Sequence, residues 1–323
     1  MAEIKNVTAG IDIGGTNTVF GLVDKNGNIL SKDLIPTKGH KSFEEFIYFS
    51  ASKIKMLLNS KSYNLKLKGI GIGAPNGNIF RGTIEHAANL DWKGILPVAG
   101  LLKKEFNLPV KVTNDANAAA LGEKLFGNAK HIHNFIEITL GTGLGSGIFA
   151  EGKLLYGHSG FAGELGHVIV KENGRQCGCG RKGCLETYVS ATGLLSTVKE
   201  LVSDTEEVSM MRDIDFNTLT SKDVYDFAKN GDVLALKAFD FTAYILGRAL
   251  ADFTAVLSPE KIFLFGGLAE AGDLLLKPAE KYMNEDLLRV YKNTVSIEKS
   301  GLKHGEAAIL GAAALIWEEI GKG

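Results

Sequence analysis

The stretch that decides the fold lies near the amino terminus and runs VTAGIDIGGTNTVFGLVDKNGNIL from Val7 to Leu30. Apolar residues over Val7–Ile13 predict a first strand, which the bend Gly14-Gly15-Thr16 ends. A second strand follows over Val19–Val23, and the dipeptide Asn26-Gly27 separates it from a third. Asn-Gly between two apolar runs is a strong hairpin signal, because both residues tolerate the positive φ of the turn. The stretch therefore predicts antiparallel strands with a glycine-rich bend between the first two.

The same arrangement recurs near the middle of the chain. Phe135–Leu140 leads into the bend Gly141-Thr142-Gly143, Ile148–Ala150 follows, and a turn at Gly152 precedes Leu154-Leu155. Two copies of strand, glycine-rich bend and strand indicate an internal duplication, with two domains. Helical patterns fill the intervals, so the predicted fold class is α/β.

Three helices and one further strand can be placed from apolar spacing. In the first helix, Ser42 and Glu45 predict a capping box, and one face carries Phe43, Phe46, Ile47, Ile54, Leu57 and Leu58. A long helix is predicted over Ala235–Leu257. Its side chains that face the core are predicted to be Leu236, Phe239, Leu246, Leu250 and Phe253. An Ala-rich helix is expected over Gly305–Ile320, and a buried strand over Ile262–Phe265.

Composition and charge exclude several classes of protein. The 323 residues include 36 Lys plus Arg and 37 Asp plus Glu, for a net charge of -1. Nucleic-acid binders usually show a basic excess, so no nucleic-acid partner is expected. No run reaches the roughly 18 consecutive apolar residues of a membrane span, and the start lacks the basic stretch and apolar core of a signal peptide. We therefore expect a cytoplasmic protein with no membrane partner.

All three cysteines fall in one short stretch, QCGCGRKGCLE, as Cys177, Cys179 and Cys184. An odd number of cysteines argues against a disulfide framework. The glycines between them allow tight turns that would bring three thiolates around one point. Zinc prefers four tetrahedral ligands, so a fourth is needed. His167 is the preferred candidate and His158 the second.

Three glycine turns that follow predicted strands are candidates for contacting phosphate groups. No GxxxxGK[ST] motif is present, so a P-loop is not expected. The turns are Gly14-Gly15-Thr16, Gly141-Thr142-Gly143 and Gly266-Gly267. Glycine lets backbone N–H groups approach phosphate oxygens, and Thr adds a hydroxyl donor. Asp12, just before the first turn, is placed either to hold a magnesium ion or its waters, or only to accept hydrogen bonds within the turn.

A carboxylate lies between a predicted strand and a predicted helix. The strand Pro109–Thr113 is followed by Asn114-Asp115 and then by the helix-forming AAALGEKLF. Ligands of open α/β sheets bind where strands end in this way, which favours a functional role for Asp115. The alternative is that Asp115 is only a helix N-cap.

Two glutamates are interleaved with the proposed metal ligands. Glu164 lies three residues before His167, and Glu186 lies two after Cys184. A metal closed by four protein ligands would not activate water, but it would fix the loops that carry these carboxylates. This arrangement predicts a rigid polar pocket suited to the hydroxyls of a sugar. The alternative is that each glutamate is only a solvated surface side chain.

These motifs resemble those of the ROK family of sugar kinases and sugar-responsive repressors, bacterial glucokinases in particular. The resemblance covers nearly the whole chain and rests on DIGGT (12–16), NDANAAALGE (114–123), LGTGLGSG (140–147), GELGH (163–167) and CGCGRKGCLE (177–186). It implies an actin-like (ribonuclease H-like) two-domain ATPase fold with a cleft between duplicated domains. The expected domains are residues 1–113 with 303–323, and residues 114–302 with the zinc-binding loop.

The resemblance also implies a role for each motif. Asp115 would be the catalytic base. The hydroxyls of a hexose would be bound by Asn89, Asn114, Asp115, Glu164, His167 and Glu186. A structural zinc would be bound by His167, Cys177, Cys179 and Cys184. MgATP would be bound by Asp12, Gly14, Gly15, Thr16, Gly141, Thr142, Gly143, Gly266 and Gly267.

The expected activity is ATP-dependent phosphorylation of a hexose at the 6-hydroxyl, a step of glycolysis if the sugar is glucose. Glucose is the first choice, with N-acetylmannosamine, N-acetylglucosamine and fructose as alternatives. A sugar-responsive transcriptional repressor is the alternative from another class. Such repressors carry a helix-turn-helix before the kinase-like body, and only eleven residues precede Asp12 here. A non-catalytic sugar-binding protein is a further alternative, and the family resemblance implies a homodimer or homotetramer.

Overall fold

The computed structural model describes residues 4–59, 64–303 and 305–321. Its strands are β1 (Ile4–Ile13), β2 (Asn17–Val23), β3 (Ile29–Pro36), β4 (Asn64–Gly73), β5 (Gly77–Asn78), β6 (Thr83–Glu85), β7 (Ile95–Leu96), β8 (Val110–Thr113), β9 (Phe135–Leu140), β10 (Leu144–Ala150), β11 (Lys153–Leu154), β12 (Lys261–Phe265) and β13 (Ser296–Lys299). Its helices are α1 (Phe43–Leu58), α2 (Val98–Phe106), α3 (Asp115–Phe126), α4 (Ala191–Asp204), α5 (Ser221–Lys229), α6 (Val233–Leu257), α7 (Asp273–Asp286) and α8 (Ala307–Ile320).

The chain forms two compact units. The first comprises the described residues up to His131, the segment Lys153–Gly163 and the described residues from Gly301 onward. The second comprises Ile132–Gly152 and Glu164–Ser300. The domain boundaries expected from the sequence, after residues 113 and 302, stay a prediction. In the structure, α3 belongs to the first compact unit, because it packs against α8.

The main sheet of the first unit has the strand order β3-β2-β1-β4-β8. Strand β2 is antiparallel to β1 and β3, whereas β4 is parallel to β1 and β8. The predicted hairpins and the glycine bend between β1 and β2 are therefore confirmed. Helices α1 and α2 pack on one face of this sheet around a core that includes Val7, Ile11, Phe20, Phe46, Ile70, Ile72 and Leu102.

Helix α8 lies against strands whose glycines leave room for it. A Cβ atom on Gly71 would lie 1.8 Å from the carbonyl oxygen of Ala312, and one on Gly10 would lie 2.2 Å from that of Ile309. Side chains alternate between the faces of a strand, so these glycines lie on the face opposite Ile11 and Ile72. The Ala-rich helix predicted at the carboxyl end is thus confirmed, and it begins at Ala307.

The second unit repeats the arrangement of the first. Strands β10, β9, β12 and β13 lie side by side in that order. Strand β10 is antiparallel to β9, and β12 is parallel to both β9 and β13. This is the arrangement of β2, β1, β4 and β8, so the predicted internal duplication is confirmed. Its hydrophobic core is filled from helices that include α4, α6 and α7, with Leu194, Val198, Leu246, Leu250 and Leu275 among its buried residues.

Two details of the predicted helices are corrected. At the start of α1, the Ser42 side chain accepts from the N–H of Glu45 at 3.2 Å, as a capping box requires. The Glu45 carboxylate, however, accepts from the N–H of Lys41 rather than from Ser42. In α6, Leu236 keeps 39% of its surface exposed, unlike the other predicted inward residues. Three positions correspond to about 300° of rotation, so Leu236 lies about 60° away from Phe239, at the edge of the apolar face.

Helix α6 is the longest in the described part of the chain, with 25 residues. It carries charged side chains along its length, among them Lys237, Asp240, Arg248 and Asp252. Among the residues that the structure describes, no helix combines the length and the apolar character needed to cross a membrane.

Candidate active site and metal cluster

The sequence-predicted site residues fall into two groups, one in each compact unit. The first unit holds Asp12, Gly14, Gly15, Thr16, Asn89, Asn114 and Asp115. The second holds Gly141, Thr142, Gly143, Glu164, His167, Cys177, Cys179, Cys184, Glu186, Gly266 and Gly267.

Two aspartates of the first unit lie where parallel strands end. Asp12 of β1 is in register with Gly73 of β4, and Gly73 is in register with Thr113 of β8. Asp115 follows two residues later as the first residue of α3. A Cβ atom on Gly73 would lie 3.7 Å from the Cα of Asp115 and 3.9 Å from Oδ1 of Asp12. The two aspartates therefore lie on either side of residue 73, at the edge of the sheet where α/β proteins bind ligands.

The cap of α3 is made by Asn114. Its Oδ1 accepts from the N–H of Ala116 at 2.8 Å, and Asn114 occupies the N-cap position. Asp115 Oδ1 accepts from the same N–H at 2.9 Å. Because Asn114 already supplies the capping oxygen, capping alone does not account for an aspartate at residue 115.

The two carboxylates share an environment that disfavours their charge. Removal from water, together with the smaller effect of the nearby Asp115 carboxylate, raises the pKa of Asp12 to about 7. The pKa of Asp115 is also raised, chiefly by removal from water, while the N–H of Ala116 opposes the shift. Asp115 nevertheless keeps exposed side-chain surface, so a ligand can reach it. Neighbouring carboxylates with raised pKa values are typical of functional sites.

The first glycine turn lies beside Asn89. The turn is closed by the N–H of Gly14, which donates to the carbonyl of Asn17 at 3.0 Å. A Cβ atom on Gly15 would lie 3.0 Å from the carbonyl oxygen of Asn89 and 3.5 Å from its side-chain nitrogen. Thr16 is exposed. The structure thus brings Asn89 and the turn together on the same side of the first unit as Asp12.

Both glycine turns of the second unit lie at one edge of its sheet. Gly141-Thr142-Gly143 follows β9 and Gly266-Gly267 follows β12. Because these parallel strands pair Thr139 with Phe265, their carboxyl ends lie side by side. Gly266 has a φ of 103°, and a Cβ atom there would lie 2.5 Å from the carbonyl oxygen of Leu140. Only glycine meets both conditions.

The start of α4 contacts the turn Gly141-Thr142-Gly143. The sequence analysis did not predict this contact. The N–H of Ala191 donates to the carbonyl of Gly141 at 2.9 Å. The Thr192 hydroxyl donates to the carbonyl of Thr142 at 2.8 Å, across a separation of 50 residues. Ser190 caps the helix by accepting from the N–H of Gly193. An N-cap signal at Ser190 would have located the helix start, but not its contact with the turn.

The four predicted metal ligands lie together. One ring nitrogen of His167 and the sulfur atoms of Cys177, Cys179 and Cys184 all lie within 4.8 Å of one another. His167, rather than the alternative His158, is the histidine of this cluster. Cys179 is exposed, whereas the other two thiols are buried.

The donor set fits zinc. Hydrogen bonds from the backbone N–H and the side chain of Arg181 lower the pKa of Cys179 to about 6. Burial raises the pKa values of Cys177 and Cys184. One thiolate is therefore formed readily, and a divalent cation would favour ionisation of the others. Three sulfurs and one imidazole are a donor set that zinc takes in closed tetrahedral sites.

The two predicted glutamates lie differently with respect to this cluster. Glu186 Oε1 lies 3.8 Å from the sulfur of Cys177, and its Oε2 accepts from the N–H of Leu144 at 2.9 Å. Glu164 precedes the 3₁₀ turn Leu165–His167, and its side chain is exposed. Its carbonyl accepts from the N–H of His167 at 3.1 Å. Glu186 therefore touches both the metal cluster and the end of the glycine turn.

Comparison with known proteins gives consistent matches over both units. A family model described as "ROK family" matches residues 8–319. The glucokinase of Halalkalibacterium halodurans is 41% identical over 277 residues, which cover 84% of this chain and 84% of that protein. The crystal structure of a ROK family glucokinase from Streptomyces griseus, in complex with glucose and AMPPNP, is 33% identical, has a TM-score of 0.79 and matches 96% of this chain and 98% of that one. A ROK family transcriptional regulator, a homologue of the E. coli MLC protein, has a TM-score of 0.86 at 27% identity, over 97% of this chain and 78% of that one.

Proposed function

The chain belongs to the ROK family, and on that premise we propose that it transfers the γ-phosphoryl group of ATP to the 6-hydroxyl of a hexose, with glucose as the first candidate. The observation that carries the proposal is the similarity, over 96% of the chain, to a glucokinase whose structure contains glucose and AMPPNP. The two-domain, duplicated α/β fold is that of actin-like ATPases, and it supplies glycine turns at the carboxyl ends of strands in both units.

Asp115 is the proposed catalytic base. A raised pKa brings a carboxylate closer to the pH at which general bases are most effective. Its position at the start of α3 leaves the side chain exposed, as a group that accepts a proton from the substrate 6-hydroxyl must be. We assign the remaining contacts with sugar hydroxyls to Asn89, Asn114, Glu164, His167 and Glu186. His167 directs Nδ1 toward Cys177 at 3.7 Å, which leaves Nε2 for the sugar.

Phosphate binding is assigned to the glycine turns. Their backbone N–H groups suit phosphate oxygens, and the Thr16 and Thr142 hydroxyls add donors. Asp12 would hold the magnesium ion of MgATP or its waters, and that ion would neutralise the charge of the transferring phosphoryl group. A cation beside Asp12 would also favour its ionised form, against the burial that raises its pKa.

The cysteine and histidine cluster is assigned a structural zinc. His167, Cys177, Cys179 and Cys184 would hold it, with no position left open for water. Zinc bound there would join the two loops that carry Glu164 and Glu186. The residues of the cluster would therefore support the sugar site without taking part in phosphoryl transfer.

The experiment that tests this function is ADP release measured across a panel of sugars. We expect kcat/KM to be highest for glucose, and lower for N-acetylglucosamine, N-acetylmannosamine and fructose, because pocket contacts of about 1–3 kcal/mol discriminate such substrates. A sample without sugar is the control for ATP hydrolysis. If ADP release did not depend on any sugar in the panel, the proposal would be wrong.

The same assay separates a kinase from a sugar-responsive regulator. A sugar-responsive regulator is the second candidate, because the fold of a ROK transcriptional regulator matches 97% of this chain. A regulator would bind sugar without sugar-dependent ADP release. Turnover with glucose assigns the chain to the kinases, whereas glucose binding without turnover assigns it to the regulators or to non-catalytic sugar-binding proteins.

A further inference from the structure

Two parts of the metal cluster converge on the backbone of one residue, Leu144. On the Cys184 side, the Glu186 carboxylate accepts from the N–H of Leu144 at 2.9 Å. On the His167 side, Gly166 lies so close that a Cβ atom on it would be 2.3 Å from the carbonyl oxygen of Leu144. The loops that carry two of the metal ligands thus meet at the residue that directly follows Gly143.

These approaches need the space that glycine leaves. A Cβ atom on Gly143 would lie 2.3 Å from Oε2 of Glu186. Neither Gly143 nor Gly166 adopts a positive φ, so backbone conformation alone would permit alanine at both positions. At residue 166 close packing against the backbone of Leu144 requires glycine, whereas a side chain at residue 143 would displace the carboxylate of Glu186.

A further contact ties the His167 loop to β10. The N–H of Leu165 donates to the Ser146 hydroxyl at 3.3 Å. The start of α4 contacts the turn Gly141-Thr142-Gly143 separately from these loops. There the Thr192 hydroxyl donates to the carbonyl of Thr142. The α4 contact does not involve a metal ligand, so it offers a comparison for contacts that do.

We propose that the zinc site and the glycine turn Gly141-Thr142-Gly143 are coupled through Leu144, so that metal binding tightens nucleotide binding. The inference rests on the proposed function, since it takes this turn as a contact of the nucleotide. Zinc fixes the position of Glu186 and of Gly166, and these two fix the backbone N–H and C=O of Leu144. The turn is then held from the metal side as well as from α4.

Coupling of this kind is reciprocal. If zinc tightens nucleotide binding by some factor, the nucleotide must tighten zinc binding by the same factor. A zinc ion that only stabilised its own loop would leave nucleotide affinity unchanged. The reciprocal effect therefore separates coupling from local stabilisation.

The first test measures zinc rather than activity. Zinc-loaded protein is brought to equilibrium with a chromogenic chelator, with and without saturating magnesium AMPPNP, and the zinc transferred to the chelator is read by absorbance. We expect AMPPNP to raise the zinc affinity at least about fivefold, the lower end of common coupling factors. Equal zinc affinity with and without AMPPNP would overturn the coupling. This measurement needs no stable zinc-free protein.

The second test uses a pair of matched glycine variants. Gly166→Ala forces a methyl group against Leu144, whereas Gly178→Ala, in the metal loop, places one in open space. In the zinc-loaded state we expect Gly166→Ala to weaken AMPPNP binding by about fivefold or more in calorimetry, and Gly178→Ala to leave it unchanged. If both variants bound AMPPNP like the wild type, the path through Leu144 would be wrong.

A third variant distinguishes the two sides of the turn. Thr192→Val removes the α4 contact, so it should weaken AMPPNP binding without lowering the zinc affinity measured in the absence of nucleotide. Gly166→Ala should weaken the binding of both AMPPNP and zinc, and a zinc affinity equal to that of the wild type would count against the coupling. If zinc-loaded wild-type protein did not bind AMPPNP at all, the proposed function would fail. If it bound AMPPNP equally well with and without zinc, the coupling alone would fail.

Discussion

At the scale of single residues, the account depends on the two aspartates at the ends of β1 and β8. Asp12 and Asp115 are brought together by the parallel register through Gly73, and burial raises the pKa of each. We assign Asp115 to proton transfer and Asp12 to the magnesium of the nucleotide. Substitutions that keep the shape of the side chain test these assignments separately.

Asp115→Asn should lower kcat for glucose phosphorylation by about 10²–10⁴-fold, because general-base catalysis supplies that range. Glucose binding, measured by calorimetry, should stay within a few fold of the wild type, since the amide keeps the size of the carboxylate. The exposed Asp204→Asn variant, at the end of α4, is the control and should retain full activity. A kcat within tenfold of the wild type would remove Asp115 from the role of base.

Asp12→Asn should change the pH dependence of stability in the absence of nucleotide and metal. The folded-state pKa of Asp12 is raised to about 7. Its contribution to stability is therefore present at low pH and is lost as the pH rises from about 4, the ordinary value for aspartate, to about 7. Asn does not titrate, so the stability of the variant relative to the wild type should grow over this interval by roughly 4 kcal/mol, at about 1.4 kcal/mol per pKa unit, and then level off.

The measurement is chemical denaturation at several pH values, with Asp204→Asn as the control. A difference between Asp12→Asn and the wild type that stayed constant from pH 4 to pH 8 would contradict the raised pKa. Addition of magnesium nucleotide should lessen the effect, because the cation would stabilise the ionised form of Asp12.

Sequence patterns predicted which candidate site residues lie together better than they predicted what holds those residues in place. The positions of Asp115 and the clustering of His167 with three cysteines followed from motif spacing. The register that places Asp12 near Asp115 and the contact made by Thr192 did not, because they depend on pairing between strands and on a residue 50 positions away along the chain. Such contacts leave no local periodicity in the sequence.

At the scale of elements, α8 and the strands beneath it show how glycine sets a packing distance. Gly71 allows the backbone of α8 to lie very close to β4. A Cβ atom on residue 71 would be only 1.8 Å from the carbonyl oxygen of Ala312. The sequence predicted the Ala-rich helix, but not the sheet face that receives it. That choice is made by Gly10 and Gly71, which resemble any other strand glycine until the helix is in place.

Gly71→Ala should lower the free energy of unfolding by about 1–3 kcal/mol or more, because overpacking forces the helix and strand apart. Gly100→Ala is the matched control, since it lies within α2 with no atom close to the added methyl group. There the same change should raise the free energy of unfolding by about 0.5–1 kcal/mol, because glycine disfavours a helix. Urea denaturation measures both, and equal effects of the two variants would contradict the packing argument.

At the scale of the whole molecule, duplication explains why glycine turns follow strands in both units. Each unit begins with a strand, a glycine bend and an antiparallel strand, and each adds parallel strands on the other side of the first. The sequence predicted this duplication, because both copies keep the alternation of apolar runs and glycine bends. It did not predict that α3 would group with the first unit, since that grouping depends on packing against α8 from the far end of the chain.

The central claim is that the chain phosphorylates glucose on its 6-hydroxyl with ATP. The most direct measurement is nuclear magnetic resonance of the products after incubation of the purified protein with glucose and MgATP. The account predicts equal amounts of ADP and a glucose monophosphate whose phosphorus couples to the protons on carbon 6. ADP without a sugar phosphate, phosphate on another hydroxyl, or no reaction of glucose at all would contradict it.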